Sequence, residues 1–196
     1  MDLLLEIIST MLGRGSMADI PVHVIWLEQD DPKKNTAVKL AKKGLITMHR
    51  KVQRLPRRGI ILDPLCGKVF GPEDHELLEN GGAVVGLDCS WAQIESSVDE
   101  VTKNTKLQRR MLPLVLAANP VNWGKPSKLT TAEAIATILF LRGNEIQAKE
   151  LLSKFNWGQQ FFILNAEPLK AYSAAKTSSE LIDLQFEFFD IEHLRE

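Results

Sequence analysis

Three short apolar segments constrain the fold of this chain more than any other feature of its sequence. They span residues 23–27, 59–62 and 83–87, and segments with helix signals lie between them at residues 35–43 and 72–78. Nearly continuous apolar runs of this length are typical of strands buried on both faces, as in parallel sheets. Their alternation with helices therefore predicts an α/β fold with a parallel sheet in the N-terminal half.

The C-terminal half has a different pattern. Residues 131–142, 144–154 and 158–174 have helical character throughout. Pro168 either kinks the last of these helices or begins a new one, because proline lacks the N–H that a helix interior needs. We therefore expect an all-helical C-terminal half.

These patterns divide the chain into three parts. Residues 1–16 are expected to be a leader or extension before Met17, and their start lacks the basic residues of a secretory signal. Residues 17–110 are expected to form an α/β domain. Residues 111–196 are expected to form a helical domain that completes a ligand site.

Composition and cysteine spacing exclude several classes. The chain has 196 residues, of which 44% are hydrophobic and 25% charged, as in ordinary globular proteins. No run of about 18 apolar residues exists, so we expect no membrane partner. The cysteines, Cys66 and Cys89, form no CxxC pair, so we expect no metal site. Two free thiols suit a cytoplasmic protein, and a disulfide between them stays open as the alternative.

The charges are sorted along the chain, although 24 basic and 25 acidic residues leave a net charge of only −1. The segment from Lys33 to Arg58, with both ends included, contains ten basic residues and no acidic one. A locally basic surface is typical of phosphate binding, and the plainer alternative is a solvated helix face. We expect RNA contacts from seven of these residues: Lys33, Lys34, Lys39, Lys42, Lys43, Arg50 and Lys51.

The end of the chain has the opposite charge. Residues 177–196 contain six acidic residues and one arginine. We expect this tail to face solvent, away from the basic segment, and to be anchored to the core by four apolar residues. These are Leu184, Phe186, Phe188 and Phe189.

Two motifs follow predicted strands at the edge where α/β sheets bind ligands. The first begins with Leu62, Asp63 and Pro64, and the second contains Asp88 and Trp91. A carboxylate holds an amino group or accepts a proton, and a tryptophan face attracts a cation such as a sulfonium. Helix capping by Asp88 and core packing of Trp91 are the structural alternatives.

A third segment, residues 109–126, is rich in Asn and Pro and predicts an irregular loop whose backbone could read a purine edge. Thr130 and Glu133 form a capping box at the start of the helix that follows. The dinucleotide-binding, Walker A and hydrolase-elbow motifs are missing from the sequence, which argues against the corresponding enzymes.

Taken together, these segments resemble the small-subunit rRNA aminocarboxypropyltransferase family of archaea and eukaryotes, from about residue 22 to residue 172. The resemblance depends on the following runs: EQDDPKKNT at 28–36, LDP at 62–64, DCSW at 88–91, RMLP at 110–113, AANPVNWG at 117–124, and FNWG at 155–158 with Phe161, Asn165 and Leu169.

The resemblance implies a fold and a reaction. The family is similar to the SPOUT class of RNA methyltransferases, which have a trefoil knot in the backbone. Its members use S-adenosylmethionine as the donor of a 3-amino-3-carboxypropyl group, which they transfer to N3 of a (pseudo)uridine in small-subunit rRNA during ribosome biogenesis. The family also implies a monomer that acts on rRNA or the pre-ribosomal small subunit.

The resemblance further implies donor-binding positions and a candidate catalytic residue, Asp88, which either accepts the N3 proton or binds the amino group of the donor. Donor contacts are expected at eight positions: Thr36, Leu62, Pro64, Leu87, Trp91, Leu112, Ser127 and Thr131. Two other functions stay open, namely a SPOUT-type RNA methyltransferase and a non-catalytic RNA-binding assembly factor.

Overall fold

The computed structural model describes residues 18–27, 35–89 and 93–190. The expected leader therefore lies outside the described residues, as do Lys33, Lys34 and Trp91. Nothing tests the division of the chain at residues 110 and 111, which stays a prediction.

A parallel sheet forms the centre of the molecule, as the apolar segments predict. Its strands are β1 (Val22–Trp26), β2 (Thr47–His49), β3 (Gly59–Leu62), β4 (Ala83–Asp88) and β5 (Gln108–Arg110). They lie in the order β2-β1-β4-β3-β5, and each neighbouring pair is parallel. The sequence pattern identified the three central strands and missed the two edge strands.

Helices connect and cover the strands. They are α1 (Thr36–Lys42), α2 (His75–Glu79), α3 (Ile94–Thr102), α4 (Thr131–Arg142), α5 (Glu145–Leu152), α6 (Gly158–Leu164), α7 (Ala166–Ala174) and α8 (Ser178–Phe188).

The helix predicted over residues 158–174 is in fact two helices, α6 and α7. The break falls at Asn165, and Pro168 is the third residue of α7. The missing proline N–H costs nothing there, because the first N–H groups of a helix have no partner within it. Of the two roles considered for Pro168, the structure therefore selects the start of a new helix.

The two faces of the sheet carry separate hydrophobic clusters. Val24, Ile60 and Val84 point to one face and pack with the C-terminal helices. Ile25 and Val85 point to the other face, as strand alternation requires. Because α4 is buried along almost its whole length against the first face, the C-terminal helices pack directly on the sheet.

Residues 178–188 of the acidic tail form α8, and one of the four predicted anchors is wrong, because Phe186 is 60% exposed. Leu184 and Phe189 pack against the core, and the Phe188 ring contacts the buried Tyr172 ring edge-on, with centroids 6.1 Å apart. The period of the helix explains the difference, because a buried stripe through Leu181 and Gln185 places residue 186 on the outer face.

No helix within the described ranges is long and apolar enough to cross a membrane. Cys66 and Cys89 are free thiols, so the structure contains no disulfide between them.

Candidate active site

A cavity of about 310 Å³ opens at the carboxyl ends of β3, β4 and β5. The strand ends, the irregular segment after β5 and the first turn of α4 form its wall. The lining residues are Leu62, Asp63, Pro64, Leu65, Gly86, Leu87, Cys89, Ile94, Arg110, Met111, Leu112, Pro113, Ser127, Leu129, Thr130, Thr131 and Ala134.

The cavity brings together six of the eight residues expected to contact the donor. They are Leu62, Pro64, Leu87, Leu112, Ser127 and Thr131. Thr36 is not among the lining residues; it begins α1, and its hydroxyl oxygen accepts a hydrogen bond of 3.4 Å from the Ala132 N–H. The eighth residue, Trp91, lies outside the described residues.

Asp88 lies at the end of β4, and its side chain is buried beside the cavity wall. Its Oδ2 accepts a hydrogen bond from Asn35 Nδ2 at 2.5 Å, and its Oδ1 accepts one from the Thr131 hydroxyl at 2.9 Å. Asn35 also caps α1, because its Oδ1 accepts from the Val38 N–H at 2.9 Å. Asp88 therefore ties α1, β4 and α4 together, and Thr131 connects it to the cavity.

Two further carboxylates bind the two arginines of β5 next to the cavity. Asp63 accepts from the Leu65 N–H at 2.9 Å and from Arg109 Nε, and the hydrogen bond to Asp63 raises the pKa of the Arg109 guanidinium. Asp74 accepts two hydrogen bonds from Arg110, at 2.6 and 2.7 Å, and both side chains are buried. This pair fixes a cavity-lining arginine in place, and no local pattern in the sequence predicts it.

The irregular segment between β5 and α4 takes its shape from Glu133, which is fully buried. The Glu133 carboxylate accepts from the backbone N–H groups of Ala118, Asn119 and Thr130, at 2.7, 3.0 and 2.7 Å. It also accepts from the Asn119 amide and the Thr130 hydroxyl, both at 2.8 Å. The predicted capping box is confirmed, and it is part of a larger network.

Three side chains from the C-terminal helices and the break between α6 and α7 hold the start of this segment: Asn165, Tyr172 and Gln185. The Asn165 amide bonds both the N–H and the carbonyl of Leu116, at 2.7 and 2.9 Å. Gln185 accepts from the Leu114 N–H at 2.8 Å, and the Tyr172 hydroxyl donates to the Leu114 carbonyl at 3.1 Å. Burial raises the pKa of Tyr172, so its hydroxyl stays protonated and donates at neutral pH. The C-terminal helices thus position one wall of the cavity.

Five of the seven predicted RNA contacts lie in the described part of the chain, and all five are exposed. They are Lys39, Lys42, Lys43, Arg50 and Lys51. Arg50 and Lys51 directly follow β2, and parallel strands end at one edge of a sheet, so they lie at the same edge as the cavity. The Arg50 guanidinium lies 5.1 Å from the centroid of the Trp26 ring, which ends β1.

A histidine pair joins the neighbouring strands β1 and β2, and its second member directly precedes Arg50 in the chain. The rings of His23 and His49 stack at 5.1 Å, with 2.9 Å between Nδ1 and Nε2. Burial is the main cause that lowers the pKa of both rings, followed by His49 for His23 and by Arg54 for His49. The pair is therefore neutral at pH 7 and adds no charge to the surface.

A parallel sheet with a partly open cavity and the exposed side chains of Arg50 and Lys51 at its carboxyl edge defines an α/β protein of the class that binds small ligands at that edge. Comparison with known proteins gives the family. Residues 60–189 match the family described as "Ribosome biogenesis protein, C-terminal".

Named relatives agree with this match. The 16S rRNA aminocarboxypropyltransferase of Methanosarcina acetivorans is 42% identical over 175 residues, covering 89% of this chain and 98% of the relative. The enzyme of the same name from Methanococcoides burtonii is 44% identical over 171 residues, covering 87% and 95%. This chain belongs to the 16S rRNA aminocarboxypropyltransferase family.

A solved structure has the same fold. The SAM-dependent rRNA:acp-transferase Tsr3 from Vulcanisaeta distributa superposes with a TM-score of 0.76 and is 38% identical, covering 89% of this chain and 92% of that one. The resemblance found in the sequence is confirmed.

Proposed function

We propose that this protein transfers the 3-amino-3-carboxypropyl group of S-adenosylmethionine to N3 of a (pseudo)uridine in small-subunit rRNA. One observation carries the proposal. A chain that is 38% identical to a SAM-dependent rRNA:acp-transferase has a cavity at the carboxyl edge of its sheet, and six expected donor contacts line it.

The cavity suits the donor in size and chemistry. Its volume of about 310 Å³ is at the lower end for small-molecule sites, and its lining is mainly apolar with a few polar groups. Leu62 and Pro64 would form the apolar wall beside the ribose and the sulfonium. Leu87 would accept from the ribose through its carbonyl, and Leu112 would contact the methionyl part through its backbone. Ser127 and Thr131 would lie at the adenine.

S-adenosylmethionine, when bound, supplies a sulfonium with three carbons open to attack and a neutral thioether as leaving group. The cavity wall decides which carbon faces the RNA, because attack needs alignment of the reacting atoms. A bond forms between N3 and the aminocarboxypropyl carbon, the bond from that carbon to sulfur breaks, and the N3 proton is lost. Asp88 is the candidate proton acceptor, and Asn35 and Thr131 orient its two oxygens.

The reaction can be tested with labelled donor. Incubation with small-subunit rRNA and carboxyl-labelled S-adenosylmethionine should leave label in the RNA, and a parallel reaction with methyl-labelled donor should leave none. Label only from the methyl group would identify an RNA methyltransferase instead. No donor binding by calorimetry would favour a non-catalytic assembly factor.

We also propose that the rRNA binds to the basic surface formed by five exposed residues, which are Lys39, Lys42, Lys43, Arg50 and Lys51. Reversing three lysines with Lys39→Glu, Lys42→Glu and Lys43→Glu should weaken rRNA binding and lower the slope of log K against log salt by about 2, because fewer counterions are released. Donor affinity should stay unchanged, since none of the three lines the cavity. Filter binding over a salt series measures the rRNA affinity and its salt slope, and calorimetry measures the donor affinity.

A matched control reverses three lysines of the C-terminal half that lie away from α1 in the chain. These are Lys154, Lys170 and Lys176, all exposed. Equal loss of binding in the two triple variants would contradict a specific RNA surface on α1, because it would reflect net charge alone.

We further propose that the protein is a monomer, as the resemblance to its family implies, and that it is cytoplasmic.

We also propose that the backbone forms a SPOUT-like trefoil knot. The return of the chain after β5 beside residues 68–70 supports the knot: the Phe70 N–H donates to the Met111 carbonyl and the Met111 N–H donates to the Lys68 carbonyl, both at 2.8 Å. When the chain is pulled from both termini in an optical trap, a knot should leave its extended length short of about 3.3–3.6 Å per residue. Full extension would contradict the knot.

A further inference from the structure

The hairpin between β5 and α4 exposes two large apolar side chains at its tip. Val121 is 83% exposed and Trp123 is 53% exposed. The hairpin is closed by backbone hydrogen bonds, from the Ala117 N–H to the Lys125 carbonyl at 3.1 Å and from the Gly124 N–H to the Ala117 carbonyl at 2.7 Å. Exposed apolar surface of this kind is a candidate interaction site when other features of the same loop support it.

The tip is held in place although it is exposed. Asn119 Oδ1 accepts from the Asn122 N–H at 3.0 Å, and the Asn119 N–H and amide both donate to the buried Glu133. Gly124 has a φ of 73°, a backbone conformation that favours glycine, and it directly follows Trp123. The tryptophan is therefore presented by a fixed turn.

The same hairpin forms part of the cavity wall. Ser127, four residues after Trp123, lines the cavity, and its N–H donates to the Val115 carbonyl at 3.0 Å. Trp123 at the tip and Ser127 in the cavity wall are thus four residues apart on one hairpin.

The charge around the tip favours a polyanion. Residues 101–132 contain six basic residues and no acidic one. Arg109 and Arg110 pair with the buried Asp63 and Asp74, whereas Lys125 and Lys128 are exposed on the strand of the hairpin that follows Trp123.

We propose that Trp123 is a stacking platform for an unpaired rRNA base at or beside the acceptor nucleotide, with Lys125 and Lys128 near the adjoining phosphates. Unpaired bases of RNA loops are commonly recognised by stacking on aromatic side chains, with cations on the backbone. The inference rests on the proposed function and assigns Trp123 as a positioning residue for the acceptor.

Three substitutions separate stacking from simple apolar contact. Trp123→Ala and Trp123→Leu should each raise the Kd for small-subunit rRNA by about tenfold, within the range expected for the loss of one base–aromatic stack. Trp123→Phe, which keeps a ring, should bind almost as tightly as the wild type. The Kd for S-adenosylmethionine should not change in any of the three, which also shows that each variant is folded.

Phe186→Ala is the matched control, because Phe186 is an aromatic residue of similar exposure on α8 and should leave rRNA binding unchanged. Wild-type rRNA affinity in Trp123→Ala would overturn the inference, as would equal affinity in the Leu and Phe variants. Binding is measured without turnover, so rRNA binding by a wild-type protein that transfers no aminocarboxypropyl group would refute the proposed function and leave the inference on Trp123 standing.

Discussion

Replacing Glu133 with alanine is expected to lower the free energy of unfolding by roughly 3 kcal/mol or more, the largest stability effect we predict for one side chain. The substitution removes the acceptor of five hydrogen bonds, three of them from backbone N–H groups at Ala118, Asn119 and Thr130. Those groups are enclosed in the fold, so the desolvation cost of the donors is no longer offset. Urea denaturation followed by circular dichroism measures the loss.

The same substitution should also abolish donor binding. Glu133 fixes the middle and the end of the irregular segment, and that segment contributes Leu112, Ser127 and Thr130 to the cavity. Glu145→Ala is a matched control, because Glu145 is a partly exposed glutamate in the first turn of α5, outside the cavity, and pairs with Lys149 at the surface. A loss of stability in Glu133→Ala no larger than in Glu145→Ala would show that the network does not hold the segment.

Asp88→Asn is expected to reduce turnover by about 100-fold or more, the scale of general base catalysis, while donor affinity and stability change little. The amide can replace the carboxylate within the fold, because its oxygen accepts from Asn35 Nδ2 and its NH₂ donates to the Thr131 hydroxyl oxygen. Single-turnover rates and calorimetric donor affinity separate the two effects.

The alternative roles of Asp88 give different results. If Asp88 binds the amino group of the donor, the Asn variant should lose donor affinity as well as rate. Asp99→Asn is the matched control, because Asp99 is an exposed aspartate on α3 that pairs with Lys103 and does not line the cavity; it should leave turnover and donor affinity unchanged. Unchanged turnover in Asp88→Asn would remove Asp88 as the proton acceptor.

The sequence predicts the parts of the fold whose signal is local. The strands β1, β3 and β4 are apolar runs, and α4 ends at Gly143, which has a φ of 98°. The edge strands β2 and β5 were missed, because three polar or mixed residues such as Gln108–Arg110 have no pattern of their own. Their strand conformation depends on pairing with β1 and β3.

Local sequence signals likewise predict only part of the candidate site. The cavity-lining residues were found through motifs at the strand ends and through family resemblance, but their partners were not. Arg110 and Asp74 are 36 residues apart, and Asn35 and Asp88 are 53 apart, so only the folded chain joins them. Gly86 was the one overlooked local signal, since a glycine within a buried strand indicates close packing; a Cβ there would lie 3.1 Å from Thr131 Cγ2.

The central claim is that the aminocarboxypropyl group, and not the methyl group, reaches the RNA. Mass spectrometry of nucleosides from small-subunit rRNA, after reaction with this protein and S-adenosylmethionine, tests it most directly. We predict one (pseudo)uridine heavier by about 101 Da, because the orientation of the donor in the cavity determines which carbon is attacked. A gain of about 14 Da, the mass of one methylene, would contradict that orientation, and an unmodified nucleoside would contradict group transfer altogether.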